Sequence, residues 1–193
     1  MGKRICVYCS SSDVLEDKYK EVAECFAKAA SFLDYTIVCG GSCKGLMGVI
    51  IDTMISNGAR VEGVIPGFMK ELEFHHPGLE NIEIVPTMSE RKDKLRDDTD
   101  AVVAFPGGIG TLEELMETLT LRRLGLYSGE VIIFNQDGFY NPLFLLFEHL
   151  EKERVLNNNW REGLVIVDNV EDLMYSLESA ERKLLEPRHY APA

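Results

Sequence analysis

The sequence predicts a doubly wound, mostly parallel α/β sheet with helices on both faces, and three observations predict it. Short apolar, β-branched runs alternate along the chain with amphipathic stretches at helical spacing. Several of those runs are apolar at every position, as strands buried on both faces are. Loops of glycine or small residues follow three of them and open directly into the next helical stretch.

The first strand is expected over Arg4–Tyr8 and ends at Cys9-Ser10-Ser11-Ser12-Asp13, before a helix near Lys18–Leu33. Thr36–Cys39 reads as the second strand, leading through Gly40-Gly41-Ser42-Cys43-Lys44-Gly45 into a helix over Leu46–Ser56. Val61–Ile65 and Ile82–Val85 follow as strands three and four, then a charged helix over Glu90–Asp97. The fifth strand, Ala101–Phe105, runs into Pro106-Gly107-Gly108-Ile109-Gly110-Thr111. The helix Thr111–Leu124 after it is expected to bury Leu112, Leu115, Met116 and Leu119. Val131–Phe134 and Leu164–Val167 complete the strands, with helices over Pro142–Glu153 and Val170–Leu185. Strands alternating with helices give a sheet covered on both faces. No repeat, linker or composition break divides residues 1–193, so one Rossmann-like domain is expected, with a short tail from about residue 186.

Composition narrows the function classes. A chain of 193 residues buries enough surface to need no disulfides or metal for stability. Its net charge of −12 repels phosphodiester backbones, so no nucleic-acid partner is expected. No run approaches the length of a membrane span, and Met1-Gly2-Lys3-Arg4 does not open a signal peptide, so no membrane partner and a cytoplasmic location are expected. There are five cysteines, and Cys6-x-x-Cys9 has redox spacing, but Cys6 falls within a strand and no second pair stands at zinc spacing. Ordinary reduced thiols are expected.

In doubly wound sheets the ligand sits at the carboxyl ends of the strands, where the strand order reverses. The loops there are where chemistry is to be sought. A helix N-terminus offers unpaired N–H groups and a partial positive charge to an anion, and glycine allows close backbone approach. Gly107, Gly108, Gly110 and Thr111 fit that description, with the Thr111 hydroxyl as a further donor, and Gly40-Gly41 is expected to line the opposite wall from a neighbouring strand end. Glycines at such junctions also serve plain tight turns; two such loops favour a phosphate seat. The spacing matches neither G-x-G-x-x-G nor a P-loop.

Glu113 and Glu114 open the helix on that loop. Acids in a first turn complement the helix dipole, but a carboxylate beside a phosphate seat is costly unless a cation neutralises it. Arg91 and Lys92 can supply the cation; a solvated mixed-charge helix is the plainer reading of Glu90-Arg91-Lys92-Asp93-Lys94.

These residues resemble a known family. Pro106-Gly107-Gly108-Ile109-Gly110-Thr111-Leu112-Glu113-Glu114 carries the P-G-G-x-G-T-x-x-E signature of the Lonely Guy proteins, the cytokinin riboside 5′-monophosphate phosphoribohydrolases. Met88-Ser89-Glu90-Arg91-Lys92 resembles their M-H-x-R-K motif, with Ser89 in place of histidine. Gly40-Gly41…Gly45-Leu46-Met47-Gly48 resembles their second glycine loop, with Ser42 and Cys43 in place of glycine and serine. Arg4–Ser12 and Asn135–Pro142 resemble the family's first strand and a late N-x-D-G segment. The likeness runs from about residue 4 to 175. Similar sequences have also been called lysine decarboxylases, but nothing marks a pyridoxal phosphate site.

The resemblance implies cleavage of the N-glycosidic bond of an AMP-like purine nucleoside 5′-monophosphate, with Glu114 and Arg91 as the catalytic pair. Glu114, ionised, would stabilise the ribosyl cation and activate water. Arg91 would keep it ionised and in place, or contact the ribose or phosphate. Gly107, Gly108, Gly110 and Thr111 would hold the 5′-phosphate; Gly40, Gly41, Ser11, Met88 and Lys92 would help bind the nucleotide, and Glu73 would border the base. No cofactor and no metal are expected, since His75-His76 are adjacent and His149 and His189 lie far off in sequence. The family forms dimers or rings of dimers, so a homodimer is expected. The alternatives are a nucleotide carrier without catalysis and a hydrolase of a different nucleoside monophosphate.

Overall fold

The computed structural model describes residues 2–71 and 75–186, with the side chain of Glu71 set aside. Seven strands form one parallel sheet in the order β4-β3-β2-β1-β5-β6-β7. They are β1 (Arg4–Tyr8), β2 (Thr36–Cys39), β3 (Val61–Pro66), β4 (Ile82–Val85), β5 (Ala101–Ala104), β6 (Glu130–Phe134) and β7 (Leu164–Val167). The helices are α1 (Asp17–Phe32), α2 (Gly45–Ser56), α3 (Gly67–Glu71), α4 (Met88–Arg96), α5 (Ile109–Arg123), α6 (Asn141–Lys152) and α7 (Val170–Ser179), with a 3₁₀ turn at Gln136–Gly138. The strand order reverses between β1 and β5, which pair from Ile5–Ala101 to Tyr8–Ala104.

The period of two along each strand divides the core into two layers. Ile5 and Val7 face one side, joining Ile37, Phe26, Ile50, Phe105, Phe134 and Leu173 under α1, α2 and α7. Cys6 and Tyr8 face the other, with Val38, Val64, Leu95, Val102, Leu115 and Ile133 under α4 and α5. The aromatic rings of Phe26, Phe105 and Phe134 stack through the first layer at centroid separations of 5.0 and 4.8 Å.

Three sequence expectations change. The last helix stops at Ser179 instead of Leu185, and residues 180–186 carry no regular secondary structure. The charged helix begins two residues early, at Met88. The hydroxyl of Thr87 accepts the Glu90 N–H at 3.2 Å and donates to the Glu90 carboxylate at 3.1 Å, a reciprocal cap that sets the start. α5 buries Thr111, Glu114, Leu115, Thr118 and Arg122, a mostly polar stripe, and leaves Leu112, Met116 and Leu119 half-buried. α3 was not anticipated from the sequence.

Candidate active site

The crevice at the carboxyl ends of β1 and β5 is walled by the loop after each strand. Ser10 donates its N–H to Pro106 O at 3.2 Å, tying the two loops together. Beneath them Tyr140 donates its hydroxyl to Phe105 O at 2.7 Å, while Asn135 accepts the Tyr140 N–H at 2.8 Å. The late Asn135–Pro142 segment thus braces the end of β5, a role its spacing alone does not reveal.

At the head of α5 the N-cap is Gly108, and no side chain caps it. Gly108, Ile109 and Gly110 are exposed, and a Cβ at Gly108 or Gly110 would meet open space. The uncapped N–H groups of the first turn are therefore free to bind an anion. Gly107 is fixed by packing: a Cβ there would stand 2.1 Å from Thr111 Oγ1, with Thr111 itself buried beneath the loop.

The head of α2 is different. Asp13 accepts the Gly45 N–H at 3.0 Å, and Leu46 donates to Ser10 O at 2.9 Å. The aspartate therefore already occupies this helix N-terminus. Gly45, at φ 58°, lies so close to Ser10, Ser11 and Ser12 that a Cβ would meet their backbone at 2.6 Å. The two glycine loops also do not stand on neighbouring strands: β1 lies between β2 and β5, so they flank it.

The structure brings Arg91 and Glu114 together. Arg91 NH1 donates to Glu114 Oε1 at 2.7 Å, and Arg91 Nε donates to Val64 O at 3.0 Å, which fixes the guanidinium plane. Their side chains are 9% and 10% exposed, so this is a buried pair and not a surface bridge. Gly40 makes room for it, since a Cβ there would lie 2.0 Å from Arg91 NH2. The sequence reading gave Gly40 a ligand-facing part; its packing part went unseen because Arg91 is remote in sequence.

Burial is the largest influence on Glu114 and raises its pKa; the charge and hydrogen bond of Arg91 oppose the shift without cancelling it. Arg91 thus pulls toward the ionised carboxyl, as the sequence reading expects, while burial pulls the other way. A carboxylate raised in this way is a stronger base. The buried thiols of Cys6, Cys9 and Cys39 lie beneath it, and desolvation raises all three, Cys39 to about 11. All five cysteines are free.

Lys92 is drawn elsewhere. Its ammonium pairs with Glu113 and, at 2.7 Å, with Glu117. Met88 stands 40% exposed at the first turn of α4, and Ser11 is exposed on the loop after β1. Gly41, at φ 74°, accepts the His76 N–H at 2.7 Å. Glu73 lies outside the described residues. His76 Nε2 stands 3.0 Å from Asp52 Oδ1 while its Nδ1 accepts the Gly78 N–H, so His76 anchors the segment beside Gly41.

Comparison with known proteins gives a consistent result. The family described as "Possible lysine decarboxylase" matches residues 47–177. An Arabidopsis thaliana protein named cytokinin riboside 5′-monophosphate phosphoribohydrolase LOG7 is 34% identical over 93% of this chain and 82% of its own. A Rhodococcoides fascians protein with the same enzyme name is 32% identical over 92% of this chain and 90% of its own. Among solved structures, the molybdenum cofactor binding protein of Rippkaea orientalis superposes with a TM-score of 0.71 over 93% of this chain and 97% of its own, at 16% identity. At that identity the likeness shows the shared fold alone.

Proposed function

Since this chain belongs to the Lonely Guy family, whose curated members are named cytokinin riboside 5′-monophosphate phosphoribohydrolases, we propose that it hydrolyses a purine nucleoside 5′-monophosphate, adenine or N6-modified adenine, to free base and ribose 5-phosphate. The observation that carries the reading is the buried Arg91–Glu114 pair set just inside the uncapped N-terminus of α5. Glu114 stands five residues after Ile109, about 7.5 Å along the helix axis. The carboxylate and the proposed phosphate seat thus stand on one helix, which holds their separation fixed.

The C1′–N bond breaks with its electron pair leaving on the base, and positive charge spreads over C1′ and the ring oxygen. Ionised Glu114 faces that charge, orients a water and accepts its proton as the C1′–O bond forms; the departing base takes up a proton from solvent and Glu114 releases its own to solvent, which restores the carboxylate. Arg91, fixed to Val64 O, aims the carboxylate and balances it in a buried setting. Binding energy from the remote phosphate positions the ribose, so adenosine is a poor substrate. The decarboxylase description is not followed, because that chemistry needs a Schiff-base lysine, whereas Lys92 of the shared motif is committed to Glu113 and Glu117.

The working unit is a homodimer. α6 carries Leu143, Phe144, Leu145, Leu146 and Phe147 yet fully buries none of its residues. Leu146 is 49% and Leu145 65% exposed, and Ile109 and Leu126 at either end of α5 are 87% and 70% exposed. Apolar exposure on that scale marks an interaction face. The substrate reading is tested by comparing AMP with adenosine at equal concentration: free adenine from AMP alone supports it, and equal turnover of the two contradicts the phosphate seat.

A further inference from the structure

The helix that carries Arg91 has little apolar anchorage. Leu95 is the one apolar side chain α4 buries; the other buried residues are Arg91 and Arg96. One leucine contributes about 2 kcal/mol of burial and cannot by itself fix a helix's rotation. Charge fixes it instead. Arg91, Lys92 and Arg96 of α4 all reach α5, where Glu113, Glu114 and Glu117 stand within one turn of each other. They interlock: Arg91 with Glu114, Lys92 with Glu113 and Glu117, and Arg96 with Glu117 at 3.5 Å. Lys92 is the crosspiece. Its side chain is only 14% exposed and bridges two acids one turn apart, so it offers its charge to α5 and not to the phosphate seat.

We propose that Lys92 is a positioning residue, which locks α4 against α5 through Glu113 and Glu117 so that Arg91 meets Glu114, and which sets the charge around that carboxylate. The inference rests on reading Arg91 and Glu114 as the reacting pair. The groups acting on Glu114 are Arg91 and Lys92 from α4, Glu113 from its own helix, and Cys6, Tyr8, Cys9 and Cys39 from the β1 and β2 side. Burial raises the three thiols and the phenol and keeps them neutral. Lys92, which favours ionised Glu114, and Glu113, which disfavours it, are the charges left to tune it.

The test follows the Glu114 carboxyl directly, by 13C NMR titration of protein labelled in its glutamates, with Glu114→Gln assigning the resonance. Lys92→Met moves the midpoint up, Glu113→Gln moves it down, and Lys92→Arg leaves it near the wild-type position. With AMP, Lys92→Met lowers kcat at pH 7 by roughly tenfold, from misplacement of the pair, while KM stays near wild type. An unmoved midpoint in Lys92→Met, with KM raised and inorganic phosphate bound more weakly, makes Lys92 a phosphate ligand and overturns the proposal. Should Lys92→Met not fold, Glu113→Gln decides alone, because a midpoint that stays or rises contradicts it. The titration needs no substrate, so a wild-type protein that hydrolyses nothing refutes the enzymatic reading and leaves these shifts separately readable.

Discussion

Arg91 and Glu114 leave water together, and the cost of that transfer shows in the direction of the Glu114 shift: desolvation raises it against the pull of the guanidinium. Two outcomes follow. As the proposed base Glu114 must be ionised, so activity is expected to fall as pH drops through its raised pKa, with the acid limb of the kcat profile higher than an unperturbed glutamate gives; a pH–rate profile on AMP checks this. For stability the sign is opposite. A group raised in the folded state stabilises below its unfolded pKa and loses that contribution as pH rises through the folded value. Glu114→Gln also leaves the buried Arg91 guanidinium without its counter-charge, so that variant is expected to melt lower than wild type at pH 7, measured by calorimetry. Gly40 answers to the same pair. A methyl there meets Arg91 NH2 at 2.0 Å, so Gly40→Ala is expected to lower kcat by about 100-fold while AMP binding, followed by calorimetric titration, changes little. The sequence marked Gly40 as a loop glycine of interest. It could not show that the approaching group is a side chain fifty-one positions on.

Among the elements, the strands were the most legible, because parallel strands buried on both faces write their position as continuous apolar runs. The run at β2 was read to the residue on that signal, and so were the edge strands β4 and β7, although both are half-exposed and Glu83 interrupts β4. Ends fixed by distant partners were not legible. α7 stops at Ser179 because the following chain is held elsewhere: Lys183 donates its N–H to Ser128 O at 2.8 Å and its carbonyl accepts from Arg122, while Arg182 pairs with Asp98 and Asp100. The α5 apolar positions were partly legible: Leu115 is buried as expected and Leu112, Met116 and Leu119 pack half-buried against the core, but Glu114 and Thr118 also turn inward. At this scale Thr87→Ala removes the cap of α4 and is expected to cost about 1 kcal/mol. Chemical denaturation reads that loss, and an unchanged midpoint would show that the interlock with α5 alone defines the start of the helix.

Taken whole, the molecule places its candidate site where a doubly wound sheet allows one, at the β1/β5 reversal. It also leaves an apolar face on α6 that the monomer does not cover. If α6 forms the interface of the proposed homodimer, wild type sediments as a dimer at micromolar concentration and Leu146→Glu as a monomer; a dimeric Leu146→Glu would move the interface off α6, and a monomeric wild type would contradict the dimer. The candidate site was legible as a pair of motifs, P-G-G-x-G-T-x-x-E and Arg91-Lys92; the pairing of Arg91 with Glu114 and of Lys92 with Glu113 and Glu117 needed coordinates. The central claim, that Glu114 beside an anion-binding helix end cleaves an N-glycosidic bond, is tested most directly by incubating the protein with AMP and with N6-isopentenyl-AMP and following free base by chromatography. The account predicts base and ribose 5-phosphate from at least one of them, and none from Glu114→Gln although that variant still binds nucleotide. Undiminished release by Glu114→Gln, or no release from either nucleotide by wild type that binds both, would contradict it.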